Sequence, residues 1–181
     1  MTPFQTFKFQ TFKPFWATML LLAVSLESTQ ATAQTQIGPF AQAAPMLIAR
    51  NDTVTATVHQ LQHAGRRWIE INLSRQRLTA WEGRNPVYTI LISTGKAATP
   101  TQPGVFAIQT RERYARMKGA GYDVSDVPYT MYYSGSYAIH GAYWHRRFGT
   151  PVSHGCINLA VNHARWLFNW ARIGTPVIVR R

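Results

Sequence analysis

Three scarcities bound what this chain can be. Its 181 residues include one cysteine, Cys156, so no disulfide can form within it, and an unpaired thiol is either a reactive group or a small buried hydrophobe. Acidic residues are few, 7 against 19 Lys and Arg, for a formal charge of +12. Such a balance fits a surface that only keeps the protein soluble. It equally favours an acidic partner: nucleic acid, anionic lipid or a carboxylate-rich polymer. The basic residues are dispersed, with no run of five or six, which argues against nucleic acid. Long hydrophobic runs are also missing. The mostly apolar stretch from Phe15 to Leu26 falls short of the roughly 20 residues that span a bilayer. Internal repeats, a glycine-rich phosphate loop, a paired-carboxylate site and a serine nucleophile elbow are absent as well.

What is present falls into three segments. Residues 1–33 read as an export signal: Lys8 and Lys13 precede the apolar run, and Ala31-Thr32-Ala33 supplies small residues for cleavage before Gln34. An uncleaved anchor is the alternative, and the membrane is otherwise not implicated. Either way the body of the protein is expected outside the cytoplasm, in the periplasm or cell wall. Residues 34–66 are rich in Gln, Ala and Thr, lack a sustained period and read as a flexible linker. Two Asn-x-Ser/Thr sequons, at Asn51 and Asn72, are short enough to arise by chance.

From residue 67 to 181 the pattern is that of a mostly β domain. Ile69, Ile71 and Leu73 alternate with polar or aromatic neighbours in a half-buried strand, and Leu78 to Trp81 make a second. Val87 to Ser93 is apolar on both faces, which predicts a central strand. Val105 to Thr110 makes a fourth, and a hairpin follows over Tyr129–Tyr133 and Ser136–His140. Residues 111–128 hold few core residues and read as an insertion, a candidate lid. Asn158 is a good helix N-cap for a helix over 159–172, and Thr175 to Val179 form a last strand. Short strands at regular spacing predict a β-sandwich or barrel-like domain with one helix after the cysteine.

The chemistry gathers around Ser153-His154-Gly155-Cys156-Ile157-Asn158 and the upstream strand end Ile139-His140-Gly141. A thiol becomes a strong nucleophile when a base takes its proton. The base must meet Cys156 in space, so His140, on a different element, is favoured over His154, which is left to orient or to contact substrate. The Gly141 carbonyl is placed to fix the His140 tautomer. A helix starting near Asn158 would stabilise a Cys156 thiolate. The N–H groups of Gly155 and Cys156 are candidate oxyanion donors. His145 reads as a loop residue at the cleft rim, and His59, His63 and His163 as ordinary histidines. One cysteine and three histidines also match a zinc donor set, but their spacing is loose. No cofactor is otherwise implied. Ser153, Asn158, Tyr129, Tyr143 and Trp144 are the remaining candidates for substrate contact; Tyr129, Tyr133, Tyr143 and Trp144 also suit a non-catalytic module that grips sugar or peptide.

These motifs carry a resemblance. His140-Gly141, with twelve residues between His140 and Ser153, followed by Ser153-His154-Gly155-Cys156-Ile157-Asn158, resembles the signature of the L,D-transpeptidase catalytic domain, or YkuD domain. Supporting matches are Ile71-Asn72-Leu73, Gln76-Arg77-Leu78, Ser93-Thr94-Gly95-Lys96, Thr99-Pro100-Thr101, Gly104-Val105-Phe106 and Val127-Pro128-Tyr129. The resemblance implies a mostly β fold and action on the peptide stems of bacterial peptidoglycan. By it, Cys156 attacks the third residue of a tetrapeptide stem, the terminal D-alanine leaves, and His140 moves the protons. An amine of a second stem resolves the thioester in a 3→3 crosslink; water or a protein lysine are the alternative acceptors. The short gap between His140 and Ser153 leaves acceptor choice open, and nothing fixes the oligomeric state.

Overall fold

The computed structural model describes residues 52–181. The expected signal at 1–33, the sequon at Asn51 and most of the expected linker lie outside the described residues. The rest of that linker is a departure from the sequence reading. Residues 52–63 are helical, here α1. Val54, Val58 and Leu61 recur at the spacing of one helix face and pack with Trp68, Trp81 and Ile178 in a small core of their own.

Nine strands follow, with one further helix: β1 (Arg67–Asn72), β2 (Arg77–Glu82), β3 (Asn85–Leu91), β4 (Gly104–Ala107), β5 (Thr110–Gly119), β6 (Tyr122–Ser134), β7 (Tyr137–Gly141), β8 (Ile157–Leu159), α2 (Val161–Trp170) and β9 (Pro176–Arg180). They form a five-stranded sheet in the order β3-β2-β1-β9-β4 and a four-stranded sheet in the order β5-β6-β7-β8. The mostly β architecture expected from the sequence is therefore present. The main core draws Ile69, Ile71, Leu78, Val177 and Val179 from the first sheet. Met131, Tyr133, Ile139, Ile157 and Leu159 come from the second, and Ala164 and Leu167 from α2.

Alternation along β1 predicts burial on one face, yet Trp68, Ile69, Glu70 and Ile71 are all buried. The second face is covered because α1 lies on it; Trp68 stacks on Trp81 at 5.3 Å and donates from Nε1 to the Gly83 carbonyl. Glu70 is held by Trp81 Nε1 at 3.0 Å and by the Arg180 guanidinium. The expected central strand, Val87 to Ser93, is instead the edge strand β3, with Leu91 46% exposed. The centre belongs to β1, flanked by β2 and by β9, which runs parallel to β1 and pairs on its other side with β4.

Two further expectations change near the site. Residues 111–128 are no irregular insertion: they belong to a long hairpin of β5 and β6, turned at Gly121 with φ 80°. Only Ala115, Val127 and Pro128 of that stretch are buried, so the hairpin projects beyond the core and carries little hydrophobic alternation. Asn158 is no helix cap. It lies in β8, and its N–H and C=O both pair with Ser93, at 2.8 and 2.9 Å. Sheet pairing on both sides outcompetes capping, and α2 starts after Ala160 with no side-chain cap. Packing of Ala164 and Leu167 holds that helix instead.

Candidate active site

The site is built on the parallel pair β7–β8, where Ile139 faces Ile157 and His140 faces Asn158. Cys156 immediately precedes β8. Side chains two apart share a strand face, so Cys156 and Asn158 lie on one face, and His140 beside Asn158 shares it. All three line one pocket of about 360 Å³, together with His154, Tyr122 and Arg147.

His140 is 2% exposed. Its Nδ1 lies 3.0 Å from the Gly141 carbonyl, which can only accept, so Nδ1 carries the proton and Nε2 keeps its lone pair. Trp144 packs against the ring at 5.7 Å. Burial lowers the proton affinity of His140, partly offset by the Gly141 hydrogen bond, and its pKa is pushed down to about 4. Burial pushes the Cys156 thiol up, opposed by a hydrogen bond from the Ala138 backbone. The thiol points to the Ser136 carbonyl at 3.8 Å. At neutral pH the pocket thus holds a thiol and a neutral imidazole with an open acceptor nitrogen. The expected helix N-terminus behind Cys156 is absent, and so is its contribution to a thiolate.

A dense set of hydrogen bonds shapes the turn before Cys156. Ser153 Oγ donates to the Cys156 carbonyl at 2.6 Å and accepts from the Gly155 N–H at 3.0 Å. Thr101 Oγ1 donates to the Gly155 carbonyl at 2.7 Å and accepts from the Gly95 N–H at 2.9 Å. Thr99 Oγ1 holds the Ser153 carbonyl at 3.1 Å. Gly155 has φ 120°, and a Cβ there would sit 2.5 Å from the Tyr137 ring, so a side chain is barred by both backbone and packing. The L,D-transpeptidase catalytic domain family, YkuD, matches residues 66–179.

The chain belongs to the L,D-transpeptidase catalytic domain family.

Among relatives of this L,D-transpeptidase domain, YciB of Bacillus subtilis, which carries the L,D-transpeptidase name, is 27% identical over 126 residues, 62% of this chain and 64% of that protein. L,D-transpeptidase 1 of Mycobacterium tuberculosis is 31% identical over 121 residues, 60% of this chain and 48% of its own length. The chain thus spans about half to two thirds of these relatives. Among solved structures, the L,D-transpeptidase LdtMt1 in complex with imipenem superposes with a TM-score of 0.60 at 28% identity, over 63% of this chain and 58% of that one. A mutant of the Enterococcus faecium L,D-transpeptidase gives a TM-score of 0.60 at 31% identity, over 63% of this chain and 49% of that one.

Not every expected residue of this L,D-transpeptidase domain falls where the sequence reading put it. The Gly155 N–H is engaged by Ser153, which removes it as a free oxyanion donor, and Ser153 itself braces the turn rather than facing a substrate. His154 does not orient His140: its ring stacks on Tyr122 at 4.7 Å and its Nε2 lies 3.5 Å from Lys96 Nζ, on the pocket rim. Tyr129 adopts φ 55° and packs at 5.7 Å on Phe168 beside the main core, outside the pocket lining. Tyr133 is 2% exposed. Tyr143 is exposed and donates to the Ser125 carbonyl at 2.9 Å, steadying the 122–134 strand. Trp144 does line the pocket. Among the described residues no group of three His, Cys, Asp or Glu is placed to hold a metal ion. His140, His145 and His154 have separate partners: Gly141, Asn158 and Lys96.

Five contributors were not singled out at the sequence level. Met117, Tyr122 and Val124, from the β5–β6 hairpin, form a wall of the pocket, and Arg147 supplies its positive charge. Thr101 had a signal in Thr99-Pro100-Thr101, but nothing local says that its hydroxyl reaches residue 155.

Proposed function

We propose that the chain is an exported cysteine L,D-transpeptidase that acts on the peptide stems of bacterial peptidoglycan, in the periplasm or cell wall. The observation that carries this reading is the sharing of one strand face and one pocket by Cys156 and a buried, neutral His140. Because the resting pair is uncharged, the thiol proton passes to His140 Nε2 as sulfur attacks the stem carbonyl, rather than beforehand. The tetrahedral intermediate collapses with cleavage of the C–N bond. The terminal D-alanine leaves as an amine that takes the proton back from the imidazolium, and a thioester remains on Cys156. An amine of a second stem then attacks the thioester, giving its proton to His140, which returns it to the departing sulfur. The product is a 3→3 crosslink. The pocket lining includes Arg147 and no Asp or Glu, which suits a substrate bearing free carboxylates.

Purified protein is expected to release D-alanine from a tetrapeptide muropeptide and to join two stems. Cys156→Ala is expected to abolish both. Retention of full turnover by that variant would overturn the nucleophile assignment. A carbapenem is expected to add its mass to the wild type and not to the variant. Hydrolysis without crosslinking would make the protein a carboxypeptidase with the same nucleophile. The aromatic grip of a non-catalytic binding module loses two of its four rings, since Tyr129 packs beside the core and Tyr133 is buried in it.

A further inference from the structure

His145 makes a contact at each ring nitrogen. The backbone N–H of Arg147 points at Nδ1 from 3.2 Å, and a backbone N–H can only donate. Nδ1 therefore holds the lone pair. The other nitrogen, Nε2, lies 2.9 Å from the Asn158 carboxamide. A neutral imidazole has one lone-pair nitrogen and one N–H, so Nε2 carries the proton and requires an acceptor. The Asn158 atom at 2.9 Å is Nδ2, a donor, while its Oδ1 is buried without a partner. One change resolves both conflicts. The two ends of a carboxamide are told apart by their partners; turned over, the amide places Oδ1 on the His145 N–H and puts the NH₂ group at the buried position that has no partner in the resting site.

The NH₂ group then occupies the other side. Asn158 is 3% exposed, stands opposite His140 in the β7–β8 pairing and lies two residues beyond Cys156. We infer that His145 is a positioning residue: its Nε2–H holds Asn158 by the carboxamide oxygen, so that the amide N–H donors face the Cys156–His140 side of the strand pair. Negative charge develops there on sulfur as the thiol proton moves to His140, and this inference rests on the reading of those two groups as the reacting pair. A freely turning amide would present its oxygen to the thiolate as often as its N–H. Fixing it keeps an N–H donor available to the negative charge that develops as the reaction begins. Burial, and secondarily the Arg147 charge, lower the His145 pKa, which keeps the ring in the neutral form that the geometry requires.

The test has a part that needs no variant. Imidazole ¹⁵N shifts of the resting protein at pH 7 are expected to show His145 neutral with the proton on Nε2; a proton on Nδ1, or a charged ring, overturns the inference. The rate of Cys156 alkylation by iodoacetamide against pH then reads the donor directly. His145→Phe is expected to slow alkylation at pH 8 about tenfold, the weight of one hydrogen bond, and to lower kcat similarly with KM within twofold. His145→Gln, which keeps an N–H donor, is expected to recover most of that loss. Asn158→Asp, near in shape but without N–H, is expected to be at least as slow as His145→Phe. Alkylation profiles that match wild type in folded His145→Phe and Asn158→Asp would refute the role. The ¹⁵N and alkylation readings do not depend on turnover, so failure of the transpeptidase assignment, seen as an active Cys156→Ala, is separate from failure of this one.

Discussion

Burying an imidazole and a thiol on one strand face moves their proton affinities in opposite directions, and that has a consequence for pH. His140 ordinarily titrates near 6.5 and in the fold near 4. Only its neutral form can accept the thiol proton. The acid limb of kcat/KM is therefore expected near pH 4 to 5 rather than between 6 and 7, as read from a pH profile on a tetrapeptide substrate. An acid limb centred at 6.5 would contradict the burial argument. Stability follows the same sign. Above pH 6.5 neither folded nor unfolded chain protonates this histidine. Between 6.5 and 4 the unfolded chain takes a proton that the fold refuses, so stability falls as pH drops through that window, by about 3 kcal/mol at most. At this scale the sequence was legible where a residue type is chemically singular. Cys156 had no rival thiol, and His140 stood out by ending an apolar strand. It was illegible for Ser153 and Gly155, whose hydroxyl and N–H read as free groups in sequence. They bind each other only because the turn brings residues two apart face to face.

Elements were readable where one face meets one core and misleading where neighbours are remote in sequence. β1 showed its alternation, but not the helix that covers its other side. Val54, Val58 and Leu61 carried a helical spacing, hidden in a segment whose composition resembled a linker. Asn158 had the side chain of a cap, yet its backbone is held by Ser93, more than sixty residues away. β3 lies at the edge, not the centre, because local hydrophobicity does not record which strands pair on each side. The α1 contact yields a prediction. Leu61 is 5% exposed in a core separate from the site. Leu61→Ala is expected to lower stability by about 2 to 3 kcal/mol while leaving turnover at 25 °C within twofold. Thermal melts and a D-alanine release assay on the same sample check both halves. An unchanged melting temperature would mean that α1 contributes nothing to the fold.

For the molecule as a whole, charge is the dominant long-range property. Three of the 7 acidic residues, Glu70, Glu82 and Asp123, are tied to single arginines. Most of the 19 basic groups therefore have no carboxylate partner in the sequence to neutralise them. Attraction to a polyanionic wall is expected to be screened by salt. Binding to isolated sacculi should weaken several-fold between about 50 and 500 mM NaCl, whereas turnover of a small soluble muropeptide should change less. Sedimentation of the protein with sacculi measures the first, and equal salt sensitivity for both substrates would confine the electrostatics to the pocket. The position of β9 carries a different consequence. Because Pro176–Arg180 wedges between β1 and β4, the first sheet cannot close until a strand about a hundred residues beyond β1 is in place. Closure of that sheet rests on contacts remote along the chain, so its refolding is expected to lag behind that of the β5–β6 hairpin, whose partners are neighbours in sequence.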